Sequence, residues 1–158
     1  MTTQALTASV TGLDRGEELA RRARYIVPLG RVLDAAIFII AGAGHFSEQT
    51  IQYAAQNGVP WATVAVPLSG VIAMVGGLSV ALGFHTRIGA LLLVLFLLPV
   101  TVIMHDFWAV GDPAMAQLQQ VMFMKNLSML GGALLLAHFG GGPFSLDALR
   151  KRRATSHP

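Results

Sequence analysis

Between Asp34 and Asp147 the sequence runs through long apolar stretches in which only Glu48, Arg87, Asp106, Asp112 and Lys125 carry charge. A water-soluble domain is roughly 25% charged, whereas this chain is 12% charged and 54% hydrophobic. Crossing a hydrocarbon layer about 30 Å thick takes about 20 apolar helical residues. The sequence therefore predicts an all-α fold, an integral membrane four-helix bundle. Its spans fall at about 27–46, 67–84, 88–105 and 120–139, between an arm (1–26) and a basic tail (140–158).

The spans carry small-residue faces that let helix backbones approach closely. Ala41-Gly42-Ala43-Gly44 lies in the first, Gly70 and Gly76-Gly77 in the second, and Gly131-Gly132 in the fourth. The pattern Ala73-x-x-x-Gly77 suits association with other membrane protein subunits or with a second copy in a homo-oligomer. Between the first two spans, Glu48, Gln49, Gln52, Gln56 and Asn57 followed by Gly58-Val59-Pro60 read as a loop with a short amphipathic helix. Gly111-Asp112-Pro113 marks a second loop, and the fourth helix starts between Pro113 and Gln120.

In the arm, Asp14 and Glu17 have N-cap and N3 spacing and predict a short surface helix over 14–24, with a disordered tail as the other reading. No apolar run appears until Tyr25-Ile26-Val27, which continues to spanning length, so the arm is not read as a cleaved secretion signal.

Ten of the eleven Lys and Arg residues fall on one side: five arginines up to Arg31, Arg87 in the second turn, and Arg150, Lys151, Arg152 and Arg153 after the fourth span. Cytoplasmic loops carry this excess, so both termini are expected in the cytoplasm of a bacterial inner membrane. The formal charge of +3 is then accounted for by orientation and by contact of Arg87 and the tail cluster with anionic membrane lipid or a partner, without nucleic acid.

Five polar residues are expected to converge near the outer surface: His45 ending the first span, His105 and Asp106 ending the third, and Lys125 and Asn126 one or two turns into the fourth. Ionisable groups in membrane spans are costly and mark sites. A quinone site would use His105 and Lys125 as donors, Asp106 for protons, and Phe107 and Trp108 to hold the ring; interfacial caps and an aromatic belt are the structural reading. His45 and His105 are also the one candidate pair of haem ligands, and no other metal set is indicated. Arg31 and Asp34, at i and i+3, are expected to form a structural ion pair. His85, Arg87 and His138 belong to the inner layer.

There is no cysteine, which excludes thiol-disulfide chemistry, thiolate-held iron-sulfur clusters and cysteine nucleophiles. The methionines, including Met115, Met122, Met124 and Met129, have packing spacing rather than the pattern of a copper site. Neither a phosphate loop, a His-Glu-x-x-His pattern nor a Gly-x-Ser-x-Gly turn is present.

Arg31 with Phe38 and His45-Phe46, then Gly76-Gly77-Leu78, Leu82-Gly83-Phe84 and Thr86-Arg87, resemble the DoxX family. His105-Asp106-Phe107-Trp108, Phe123-Met124-Lys125-Asn126-Leu127, Gly131-Gly132 and Gly142-Pro143 with Ser145-Leu146-Asp147 are similar to one branch of it. The resemblance covers about 31–147. It implies a small four-helix bacterial membrane protein, distantly related to the DoxD subunit of a thiosulfate:quinone oxidoreductase, in a redox-linked setting. Many such proteins carry a glutamate before the paired glycines, where Ala73-Met74-Val75 stand here.

Two functions follow as expectations. One is an accessory subunit of a redox-linked, quinone-dependent membrane complex, with its polar site at the outer surface. The other is a non-catalytic scaffold or assembly subunit within a larger membrane complex. A small-solute transporter is weakened by the lack of a discontinuous helix pair.

Overall fold

The computed structural model describes residues 24–155, so the helix expected over most of 14–24 lies outside the described residues. The chain forms α1 (Ile26–Gly44), α2 (Glu48–Gln56), α3 (Ala62–Leu82), α4 (Thr86–Met104), a 3-10 turn (Phe107–Ala109), α5 (Pro113–Phe139) and α6 (Leu146–Thr155). There is no strand among the described residues. Four segments, Ile26–Gly44, Ala62–Leu82, Thr86–Ala109 and Pro113–Phe139, are long and apolar enough to cross a membrane. Their outward side chains, such as Leu33, Ile40, Leu91 and Leu135, are exposed and apolar, as a lipid solvent requires. The protein is an all-α integral membrane protein.

One helix begins earlier than the sequence predicts, and another at the first residue of its predicted range. Pro67 was expected to open the second span, but α3 starts at Ala62 and carries Pro67 inside it; a proline in the second turn removes a single hydrogen bond, which this long, packed helix tolerates. α5 starts at Pro113, capped by Asp112, whose Oδ1 accepts from the Met115 N–H at 2.8 Å. Proline at the first helical position costs nothing. Lys125 therefore lies twelve residues inside α5, roughly 18 Å from its start, deeper than one or two turns.

α1 packs on α3, α3 on α4 and α4 on α5, while α1 touches α5 only lightly. Small residues make the close contacts. Gly42 and Gly70 face each other across α1 and α3, where a Cβ on either would lie within 3 Å of the other's carbonyl oxygen: 2.9 Å for one and 2.7 Å for the other. The core is built on Ala35, Ala73, Ala90 and Ala133 with Phe38, Leu93, Phe96 and Leu97. Ala73 and Gly76-Gly77 are thus used inside the bundle, so they offer no face to another subunit. A smaller cluster of Ala54, Ala62 and Val66 seats α2 against α3 beyond the end of α1.

Candidate functional site

The tightest polar construction joins the C-terminal end of α3, the N-terminal end of α4 and the segment leading into α6. The last turn of any helix leaves carbonyls without intrahelical partners, and Arg31 supplies a donor to one such group, at Ala81, and to two carbonyls of the segment between α5 and α6. The residue is buried, 4% exposed. Nε donates to the Ala81 carbonyl at 3.3 Å, Nη2 to that of Phe144 at 3.0 Å, and Nη1 to that of Gly141. The ion pair expected between Arg31 and Asp34 is not formed: the guanidinium is turned to the carbonyls, and Asp34 Oδ2 is buried without a hydrogen-bond partner among the described residues. The Asp34 carboxylate lies against α5, where a Cβ at Gly132 would be 3.1 Å from Oδ1.

Asp147 caps α4 from a distant part of the chain. The His85 N–H donates to Oδ1 at 2.8 Å, and the Thr86 N–H and hydroxyl donate to Oδ2 at 3.0 and 3.1 Å. The Asp147 N–H returns a bond to the Gly83 carbonyl at 2.9 Å. Partial burial opposes ionisation of this carboxyl, but the donors of Thr86 and His85 and the charge of His85 outweigh it and hold it below the ordinary carboxylate range. The turn it ties is sharp: Gly83 and His85 both take left-handed backbone, with φ of 68° and 48°. The Ser145 hydroxyl accepts from the Ala148 N–H at 3.1 Å and so starts α6.

These ties fold α6 back over the turn and enclose an open pocket of about 840 Å³. Arg87 from α4 and Arg150 and Lys151 from α6 line it, over a floor of Gly140–Gly142. Arg150 is held in place by the His85 ring, with Nη1 3.2 Å from Nε2, and by the face of Phe84, 5.0 Å from its centroid. Arg152 and Arg153 lie on the exposed part of α6, outside this lining. The sequence marks Arg87 and the tail cluster as cations but not their convergence, which depends on contacts between Asp147 and residues more than sixty positions away.

The five polar residues expected to gather at the other end, with Trp108 beside them, are spread over several environments. His45 Nδ1 donates to the Ala41 carbonyl of its own helix at 2.8 Å, and its ring lies edge-on to Phe96, 5.7 Å away. His105 instead donates from Nδ1 to Gln119 Oε1 at 2.8 Å, and Gln119 Nε2 is 3.4 Å from the Tyr53 hydroxyl. His105 is nine residues beyond Phe96, about 13 Å further along the helix axis, so the two histidines do not face one another as axial ligands. Among the described residues no group of three or more His, Asp or Glu is placed to hold a metal ion. Trp108, Phe107 and Phe123 form an edge-to-face trio with centroids 5.1 to 5.9 Å apart. Asp106 is half-buried, Asn126 is buried, and Lys125 points outward from the bundle. The sequence does not single out Gln119 or Tyr53 as partners of His105.

A model of the SURF4 family matches residues 50–153. The inner membrane protein YqjF of Escherichia coli (strain K12) is 36% identical over 129 residues, covering 80% of this chain and 93% of its own length. Inner membrane protein YphA of the same organism is 34% identical over 121 residues, 75% of this chain and 86% of its own. ER-derived vesicles protein ERV29 of Saccharomyces cerevisiae is 28% identical over 127 residues, 80% of this chain but 34% of its own. No solved structure matches. These matches overturn the resemblance to the DoxX family. The residues that carried it have structural work in the bundle: Gly76 packs helices, and Gly83, Thr86, Ser145 and Asp147 tie helix ends. Such features reflect four-helix construction as much as descent.

Proposed function

This chain belongs to the SURF4 family, and we propose that it is a non-catalytic scaffold subunit of a bacterial inner membrane, with its basic end and both termini in the cytoplasm. The orientation rests on the ten cations that precede α1 or lie in its first two turns, stand at the start of α4, or follow α5. Inner membrane relatives in Escherichia coli support the location.

One observation carries the scaffold reading: the side chains that chemistry would need do not converge. His45 is bonded to its own helix, His105 to Gln119, Arg31 to carbonyls and Asp147 to the start of α4. What α5 offers outward is a long apolar face with one cation, Lys125. A lysine on the outer face of a membrane span is costly unless it reaches the surface or meets a carboxylate. The partner fitting this face is a membrane helix that brings Asp or Glu opposite Lys125.

The redox-linked reading keeps one observation in its favour, the His105–Gln119–Tyr53 chain close in sequence to Trp108 and Phe107. Gentle detergent purification from native membrane separates the two, read by visible absorption and by mass spectrometry of everything that co-purifies. A colourless preparation with defined partner subunits, which Lys125→Met releases without lowering abundance, is the expected result. A haem band or stoichiometric quinone, lost in His105→Ala, overturns the scaffold in favour of a redox subunit.

A further inference from the structure

The pocket at the basic end has a composition that the scaffold reading does not use. Arg87, Arg150 and Lys151 bring three cations to one cavity, and among the described residues Asp147 is the one carboxylate in its lining. That carboxylate offsets one of the three positive charges and leaves the lining net positive, but its two oxygens already accept three hydrogen bonds from the start of α4, so it is not turned toward the cations as a pairing partner. Without such anchoring an aspartate among arginines would form ion pairs with them; here its position is fixed by the backbone. Arg150 is likewise oriented in advance, by His85 and by the Phe84 ring, so less side-chain freedom is lost when an anion binds. Arg87 makes no hydrogen bond or ion pair among the described residues, and its Nε stands beside the Gly140 floor, 3.6 Å from where a Cβ there would lie.

The lining also mixes two characters. Ile88 and Phe139, at the ends of the spans, form an apolar side, while Arg150 and Lys151 on α6 form the basic one. At about 840 Å³ it holds more than a bare phosphate, and the glycines at 140–142 keep its floor low. An anion with an apolar neighbour matches both walls. We propose that this pocket binds a phosphate group through Arg87, Arg150 and Lys151, the phosphate being that of a lipid headgroup or of a free phosphate ester. Planar guanidinium groups pair two-pronged with phosphate oxygens, and the lysine adds a point charge.

The test uses the full chain purified in a neutral detergent, titrated with short-chain phosphatidylglycerol, with glycerol 3-phosphate and with inorganic phosphate, and read by native mass spectrometry and thermal shift. Saturable binding of the lipid alone identifies a headgroup site, and saturable binding of the free phosphates identifies a soluble anion site; both support the proposal. Arg87→Gln and Lys151→Gln are each expected to weaken binding about tenfold. Lys151 is exposed on α6, so its variant keeps the fold even where Arg87→Gln does not. Arg152→Gln, on the same helix but outside the lining, is expected to change affinity less than about twofold. Absence of saturable binding to all three probes overturns the proposal. So does equal weakening by Arg152→Gln and Lys151→Gln, which is the signature of diffuse surface charge.

Discussion

The two ends of the bundle are held by different means. At the basic end, side chains reach across the sequence: Arg31 to carbonyls 50, 110 and 113 residues away, and Asp147 to the start of α4, 61 and 62 residues away. At the other end most side-chain bonds are local, with His45 on Ala41, Ser47 on Thr50 and Asn57 on Tyr53. The packing of Ala54, Ala62 and Val66 and the trio of Phe107, Trp108 and Phe123 supplies the remaining order there. A lipid-facing bundle gains little from apolar burial between helices, because lipid is as apolar as leucine. Long-range polar ties are therefore the means of fixing which helix ends meet. The difference teaches that the basic end sets topology, and the opposite end fills space.

Arg31→Met is the sharpest way to break the comparison. It leaves the carbonyls of Ala81, Gly141 and Phe144 without their donor in a buried site, and the expected cost is about 3–5 kcal/mol. Unfolding in mixed micelles, followed by circular dichroism, measures it. Arg31→Lys restores the charge but not the fork that spans three acceptors, so it should recover only part of the loss. If Arg31→Met is as stable as the native chain, the long-range ties do not set topology.

Steric contrast comes next. Gly70→Ala places a methyl 2.7 Å from the Gly42 carbonyl and from the His45 Cβ, and is expected to cost about 1–3 kcal/mol. Gly131→Ala meets nothing within 4 Å and should stabilise α5 by up to about 1 kcal/mol. Measuring both in one detergent also tests whether α5 is covered by a partner in the native membrane, since Gly131→Ala would then release that partner despite a more stable helix.

Most of the architecture was legible in the sequence because it follows from hydropathy and length, which need no knowledge of contacts. Helix starts were less legible: Pro67 looks like a boundary and sits inside α3, because tertiary packing absorbs one missing hydrogen bond. The candidate site was read less well. Arg31 and Asp34 have the right spacing for a pair, but spacing on one helix says nothing of the carbonyls that other helices bring to the guanidinium. Likewise Lys125 and Asn126 are neighbours in sequence and face opposite environments, one exposed and one buried, since adjacent helical positions differ by about 100°.

Asp147→Asn sharpens the comparison through pH. The carboxyl lies below its unfolded value when folded, so its contribution is fully present above about pH 4 and disappears as pH falls through the lower folded value. Acid should therefore loosen α6 from the α3–α4 turn in the native chain. The asparagine variant keeps some caps but loses the ionised acceptor, with an expected cost near neutral pH of about 0.5–2 kcal/mol, and it should lack the acid slope that Asp147 supplies. Hydrogen exchange of the Thr86 amide against pH reads this directly, and an identical acid slope in both proteins would assign the transition to another group.

The smallest effect belongs to the opposite end. His105 and Gln119 make one neutral side-chain bond at 2.8 Å, so His105→Ala and Gln119→Ala should each cost about 1 kcal/mol. A double-mutant cycle isolates their coupling, expected at about 0.5–1.5 kcal/mol. The remaining Gln119–Tyr53 contact is longer, at 3.4 Å, and should add little to the cycle. A coupling several times larger would mean that the His105–Gln119–Tyr53 chain acts as a cooperative network. The opposite end would then be organised by polar ties after all, and the contrast with Arg31 and Asp147 would fail.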